Sequence, residues 1–330
     1  MLKINQGIRC GDHFAIDPTV KSDLAIISHA HSDHIRAHRK VIATAPTVEL
    51  ARLSYKKLET NAVGYHESFE IGTYRIELAP AGHMLGSAQV ILDLNNERIV
   101  YTGDFKLEDN RTCQKAEIHP CDTLMIDTTY GLPHYKFPTF DECRDMLLDF
   151  VSKNLKSDVI PVILAYSFGK AQEAMEILGG EGIEIDVYQK AFEAAQVYEK
   201  FNIKFGDFFL LEETPVPGRA VILPPGAFRF VDSRRWGRYR TCFLSGWVID
   251  RNRGYMNKNG YGIPLSDHAS FEDIIRYVET AKPGRVFTLF GPPEIADYLN
   301  RIGFKAEAVN LNSGRSLINR SALNLELFDQ

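Results

Sequence analysis

The chain lacks a Cys-x-x-Cys pair, an apolar run approaching the length of a membrane span, and the apolar N-terminal core of a secretion signal. Its five cysteines (Cys10, Cys113, Cys121, Cys143, Cys242) are odd in number and scattered. That argues against a disulfide framework or a structural zinc ribbon and predicts reduced thiols in a soluble, cytoplasmic protein with no membrane partner. Positive charge is not in excess: 38 Lys and Arg stand against 43 Asp and Glu, a net charge of −5. Contact with nucleic acid must therefore come from local patches rather than a basic domain. Internal repeats and low-complexity stretches are also missing. What remains is 330 residues, 45% hydrophobic and 25% charged, enough to bury a large core. The length favours about two domains.

Short apolar runs punctuated by Gly, Pro and Asp fill the first part: Phe14–Asp17, Asp23–Ser28, Val41–Thr44, Tyr74–Ala79, Gln89–Leu94, Arg98–Thr102 and Thr123–Asp127. They predict strands of a mostly antiparallel sheet system. After Asp127 the texture changes. Helical spacing over Phe140–Asn154, a buried-strand run over Val159–Tyr166, and helical segments over Gly169–Leu178 and Lys190–Lys200 alternate, predicting an α/β unit with parallel strands. Strand-like runs at Val221–Leu223 and Thr241–Ser245 lead back to Leu265-Ser266-Asp267-His268 and a helical stretch over Glu272–Thr280.

The densest chemistry is His29-Ala30-His31-Ser32-Asp33-His34, directly after the apolar run Leu24-Ala25-Ile26-Ile27. A lone histidine is usually a solvated loop residue, but four ligand types packed this tightly at a strand end predict a metal site. Imidazole and carboxylate together suit zinc, with manganese or iron as alternatives, better than calcium or magnesium. Two alternating histidines followed by a tighter Asp-His turn can serve two adjacent metals. Three further candidates sit in similar places: His83 in Pro80-Ala81-Gly82-His83-Met84-Leu85-Gly86-Ser87, Asp104 after Tyr101-Thr102-Gly103, and His268 ahead of a helix. Singly, each could be a capping or core residue, as Asp267 could cap the helix that follows. Jointly they supply the ligand number that a hydrolytic two-metal centre needs.

The motifs HAHSDH, PAGHMLGS and YTGDF, in this order, resemble those of the metallo-β-lactamase fold, an αββα sandwich with metals at its edge. The resemblance implies that His29, His31 and His83 hold one zinc, Asp33, His34 and His268 the other, and that Asp104 bridges. Asp17, in Ala15-Ile16-Asp17-Pro18, matches the family's early carboxylate that orients ligand histidines; alternatively it is a turn residue.

The second half, through Asp127-Thr128-Thr129-Tyr130-Gly131, Phe168-Gly169-Lys170-Ala171-Gln172-Glu173, Ser245-Gly246-Trp247 and Ser266-Asp267-His268, resembles the β-CASP nucleases and within them the ligase-associated DNA exonucleases. That implies an α/β fold in which residues 1–131 and 263–330 form the lactamase domain and 132–262 an inserted β-CASP cap. It also implies a two-zinc phosphodiesterase (manganese possible), a DNA exonuclease leaving 5′-phosphates, and a DNA ligase or helicase as partner. RNA-processing members usually carry Glu where this chain has Asp127 and His where it has Phe290; the DNA-repair branch shares Asp-Thr-Thr-Tyr and lacks the late histidine. The substrate expectation therefore favours DNA over RNA. In this scheme Asp33, Asp127 and His268 are catalytic, with Asp127 orienting His268 and sharing proton handling with it.

Substrate contacts are expected from Ser167, Lys170, Arg235, Ser245 and Trp247. Lys170, at a helix start, would offer an ammonium to a phosphate, against the alternative of a solvated first-turn lysine. Arg229, Arg234, Arg235, Arg238, Arg240, Arg251 and Arg253 interleave with Phe228, Phe230, Trp236, Tyr239 and Trp247, a pattern suited to single strands or to domain packing. A lactamase-fold hydrolase of small molecules would lack the long cap and this run. A ligand-depleted binding module is disfavoured because every ligand position is filled.

Overall fold

The computed structural model describes residues 2–4, 6–250 and 261–309. Arg251 and Arg253 of the arginine run lie outside them. In chain order, β1 (Leu2–Ile4), β2 (Ile8–Cys10), β3 (Phe14–Ile16), β4 (Leu24–Ile26), β5 (Lys40–Thr44) and β6 (Glu59–Val63) form one sheet. Helix α1 (Ala45–Ser54) connects its last two strands. A second sheet takes β7 (Phe69–Ile71), β8 (Tyr74–Pro80), β9 (Ala88–Leu94), β10 (Glu97–Tyr101) and β11 (Thr123–Asp127), then strands from the end of the chain.

Helices α2 (Phe140–Leu155), α3 (Lys170–Gly180) and α4 (Gln189–Lys200) pack on a third sheet of β12 (Ile160–Leu164), β13 (Ile185–Val187), β14 (Phe208–Leu210), β15 (Ala220–Leu223), β16 (Tyr239–Leu244) and β17 (Tyr261–Ile263). Its pairs are all parallel, in the order β14-β13-β15-β12-β16-β17. The chain then returns through α5 (Phe271–Ala281), β18 (Arg285–Leu289), α6 (Glu294–Arg301) and β19 (Ala306–Ala308) to complete the second sheet.

Period-two alternation sets the layers. Ile76, Leu78, Val90 and Leu92 turn inward against Ile8, Ile16 and Ile26 of the first sheet. Their neighbours Ala79 and Ile91, with Val100, Leu124 and Ile126, turn outward onto Ile274, Tyr277 and Leu299 of α5 and α6. On the far side Ala25, Ile27, Val41 and Ala43 pack against Val48 and Ala51 of α1. This is the αββα sandwich with an added α/β unit.

The expectation of a mostly antiparallel system needs correction: both sandwich sheets are mixed. β1–β3 and β7–β10 pair antiparallel, whereas β3–β6 and the run β10-β11-β18-β19 pair parallel. Short apolar runs look alike in either arrangement; helical crossovers such as α1, whose ten residues sequence periodicity missed, set the parallel pairs.

The candidate ligands lie in loops at one edge: after β4, between β8 and β9, after β10, at the end of β11 and before α5. Gly82 shapes the second of these loops. Its φ is +74°, and a Cβ there would lie 2.2 Å from the Lys106 carbonyl oxygen. We expect Gly82→Ala to cost roughly 2–4 kcal/mol. Gly180→Ala, where an added methyl meets nothing within 4 Å, should be neutral or slightly stabilising. Urea unfolding of the two variants side by side checks this; equal midpoints would contradict it.

Candidate metal centre

Buried strand ends force the histidines together, and hydrogen bonds decide which nitrogen each presents. His83 Nδ1 donates to the Asp267 carbonyl at 2.8 Å and His31 Nε2 to the Phe168 carbonyl at 3.2 Å. Ser28 Oγ, donating to Asp17, can accept from His29 Nδ1 at 3.0 Å. Each neutral ring is left with a lone pair on its other nitrogen. Those nitrogens converge: His31 Nδ1 lies 3.1 Å from His29 Nε2 and 3.0 Å from His83 Nε2. Asp104 Oδ2 stands 3.5 Å from His29 Nε2 and 3.8 Å from His83 Nε2. Zinc bonds of about 2.0–2.1 Å place tetrahedral donors about 3.3 Å apart, so the set has the chemistry and span of a zinc site.

Burial pushes the pKa values of His29 and His31 down and that of His83 to about 3, with neighbouring histidines opposing charge on His29 and His83. Neutral imidazole is the form that ligates.

A second, more open group lies on the other side of Asp104. His34 Nε2 is 3.4 Å from Asp104 Oδ1 and 3.8 Å from Asp33 Oδ2, and His268 Nε2 is 3.9 Å from Asp104 Oδ2. Asp104 thus lies between the two groups, with Oδ1 toward His34 and Oδ2 toward His29, His83 and His268. Asp33 is the exposed member, with 78% of its side chain accessible. Asp17 accepts from His34 Nδ1 at 2.8 Å, from Ser28 N at 2.8 Å and from the Tyr101 hydroxyl at 2.9 Å. Asp127 accepts from His268 Nδ1 at 2.9 Å, and its other oxygen accepts from the Thr129 amide and hydroxyl. Both carboxylates stand behind a histidine and orient it.

Electrostatics here oppose those of the first group. Burial works against charge on His34 and His268, but Asp104 and Asp17 raise the former well above normal. Asp104, Asp127 and Asp267 lift the latter to about 9. The same histidines hold Asp104 well below the carboxylate range despite its burial.

The centre opens into a cavity of about 500 Å³. Asp33, His34, His268 and Phe290 line it from the sandwich, and Tyr166, Ser167, Ser245 and Trp247 from the added unit. Trp247 packs 4.6 Å from Tyr130, and the Phe290 ring lies 5.5 Å from His34.

Two of the residues expected to contact substrate have protein partners in the fold. Lys170 lines the cavity yet is buried, its ammonium donating to Asp267 Oδ1 at 2.7 Å, so its charge is already matched. Arg235 is not among the cavity's lining residues and pairs with Glu213 at 2.8 Å. Trp236, from the same run, is buried against Phe228 and Tyr239 and donates Nε1 to the Glu213 carbonyl. Part of the arginine-aromatic pattern is therefore packing. Asp267 does not cap the helix; Ser270 does. Sequence reading also missed Ser28 and Tyr101, the second for lack of any local signal.

Zinc bound by His268 would displace the proton that Asp104, Asp127 and Asp267 favour there below about pH 9. Zinc uptake at pH 7 should therefore release protons, and affinity should rise with pH up to about 9, then level. Calorimetric titration in buffers of different ionisation enthalpy counts them; a count near zero would remove His34 and His268 from the ligand set.

A model of the β-lactamase superfamily domain matches residues 13–143. A protein of Opitutus terrae named a probable DNA ligase is 32% identical over 90% of this chain and 30% of its own length. An RNase J-like protein of Methanocaldococcus jannaschii is 28% identical over 47% of this chain and 43% of its own. An uncharacterized protein in the lig 3′ region of Acidianus ambivalens is 38% identical over 37% of this chain and 83% of its own. The chain spans less than half of the first two. Fold, motif order and these matches lead to one conclusion: the chain carries a metallo-β-lactamase domain, and its relatives are consistent with the β-CASP nucleases of that superfamily.

Proposed function

We propose that this protein is a two-zinc phosphodiesterase, with manganese able to substitute, acting as a DNA exonuclease on single-stranded ends and leaving 5′-phosphates. The observation that carries the reading is the two ligand groups sharing Asp104 at the floor of an aromatic-walled cavity between sandwich and cap. His29, His31, His83, Asp33, His34 and His268, with Asp104 between them, would hold the zinc, which would supply Lewis acidity toward a phosphate oxygen and an activated water.

The chain's own residues do the rest. Asp17 and Asp127 fix His34 and His268. Asp33, exposed at the mouth, completes the second group where substrate arrives. The Asp127–His268 pair can move a proton at the leaving oxygen. Tyr166 and Phe290, about half exposed, offer faces to unpaired bases, and Ser167, Ser245 and Trp247 continue that wall.

A role in DNA repair or processing, with a ligase as functional partner, is supported by the relative named a probable DNA ligase. RNA cleavage is the second reading, favoured by the RNase J-like relative, since phosphate chemistry is common to both.

Zinc-loaded protein should degrade end-labelled single-stranded DNA. Asp33→Ala and His268→Ala should each lower the rate by about 10²-fold or more. Moving the label between ends reads polarity, and a matched RNA runs in parallel. Robust RNA cleavage with none of DNA would transfer the assignment to RNA; no cleavage of either would overturn it.

A further inference from the structure

The first turn of α3 belongs to the cap, yet it presses on the metal centre. Gly169, with φ +78°, precedes it, and a Cβ there would come within 3.3 Å of Met84 Cβ. That close approach brings two cap groups to the sandwich loops. The Phe168 carbonyl accepts from His31 Nε2 at 3.2 Å. The Lys170 ammonium, 3% exposed, donates to Asp267 Oδ1 at 2.7 Å. Asp267 in turn accepts His83 Nδ1 on its main-chain oxygen at 2.8 Å.

The helix makes one more buried tie. Glu173 Oε1 lies 3.4 Å from Lys106 Nζ, and Lys106 follows Asp104 by two residues. Buried charges on this scale are retained only where pairing is close, and losing one partner leaves the other stranded.

We propose that Lys170 is a positioning residue for the first metal group: by clamping Asp267 it holds the carbonyl that orients His83, so that cap docking and metal affinity are one linked equilibrium. This rests on the metal reading given above but not on the identity of the substrate. A histidine whose far nitrogen loses its fixed acceptor can rotate, and such outer partners typically carry 10–100-fold in metal affinity. The ion pair crosses from cap to sandwich, so anything that lifts the turn releases both His31 and His83 from their acceptors. By reciprocity, a metal that locks those rings favours the docked cap.

The test is zinc affinity by chelator competition, with no nucleic acid present, on the full chain and on Lys170→Met, Lys170→Arg and Lys153→Met. Lys153 is an exposed cap lysine paired with Asp149 and serves as the charge control. Lys170→Met should weaken binding roughly 10–100-fold. Lys170→Arg should recover most of it, and Lys153→Met should match wild type. Cobalt-loaded samples add a spectroscopic signature: the visible bands should change in Lys170→Met and return in Lys170→Arg. Should Lys170→Met fail to fold by circular dichroism, Lys170→Leu, which likewise offers Asp267 neither donor nor charge, takes its place in the same comparison with the same expected loss. A folded uncharged variant whose zinc affinity stays within twofold of wild type, with an unchanged cobalt spectrum, overturns this inference alone. A wild-type chain that takes up neither metal overturns the metal reading and this inference with it.

Discussion

Three imidazole lone pairs facing one another at 3.0–3.1 Å repel, and much of the surrounding structure serves to hold them there. Each ring is pinned from behind by a buried acceptor: Ser28 for His29, the Phe168 carbonyl for His31, the Asp267 carbonyl for His83. Such an arrangement costs free energy in a bare protein, because burial forbids protonation and no hydrogen shared between the rings can satisfy all three. A divalent cation would remove the conflict. The neighbouring pair differs: His34 and His268 are backed by carboxylates, which favour a proton that a metal would have to displace. Two groups sharing Asp104 therefore differ in proton demand.

How far this was legible in the sequence follows from where each partner lies in the chain. His29 to His34 are contiguous because a strand end and one tight turn present them, so a local pattern suffices. His83, Asp104 and His268 are distant, and only the repeated placement at strand ends, with the motif order, tied them to the first cluster. For Asp127 the sequence expectation is a carboxylate that orients His268, and in the fold it accepts from His268 Nδ1 at 2.9 Å. Tyr101, by contrast, reaches Asp17 across the sandwich from another strand, and local pattern carries no trace of that contact.

Lys170 shows how much the fold adds to a charged residue beside a helix start. From sequence, an ammonium in the first turn looks available to a phosphate; in the fold the turn is driven against Met84, and the ammonium meets Asp267 before it meets solvent. Arg235 and Trp236 show the converse. They share one short run, but the 3-10 turn that carries them, Ser233–Trp236, sends the tryptophan into the cap's apolar floor and the arginine out to Glu213. Composition of a run cannot divide such roles, because the split depends on which face the backbone turns inward.

The same logic explains Phe290, where a histidine was noted as missing. Pairing of β11 with β18 continues to Asp127 opposite Leu289, and Thr128 N then donates to the Leu289 carbonyl. The chain must next cross Thr128 closely: a Cβ on Gly291 would lie 1.8 Å from the Thr128 carbonyl oxygen. That crossing leaves Phe290 at φ +63°, a conformation a bulky residue enters at a cost of about 1–2 kcal/mol. The strained backbone turns the ring outward, 45% exposed, over His34. A polar side chain here would compete for the inner nitrogens of the second group; an aromatic one shields His34 on one side and presents its other face to the cavity. Phe290 thus gives the cavity an apolar wall, as Tyr166 does.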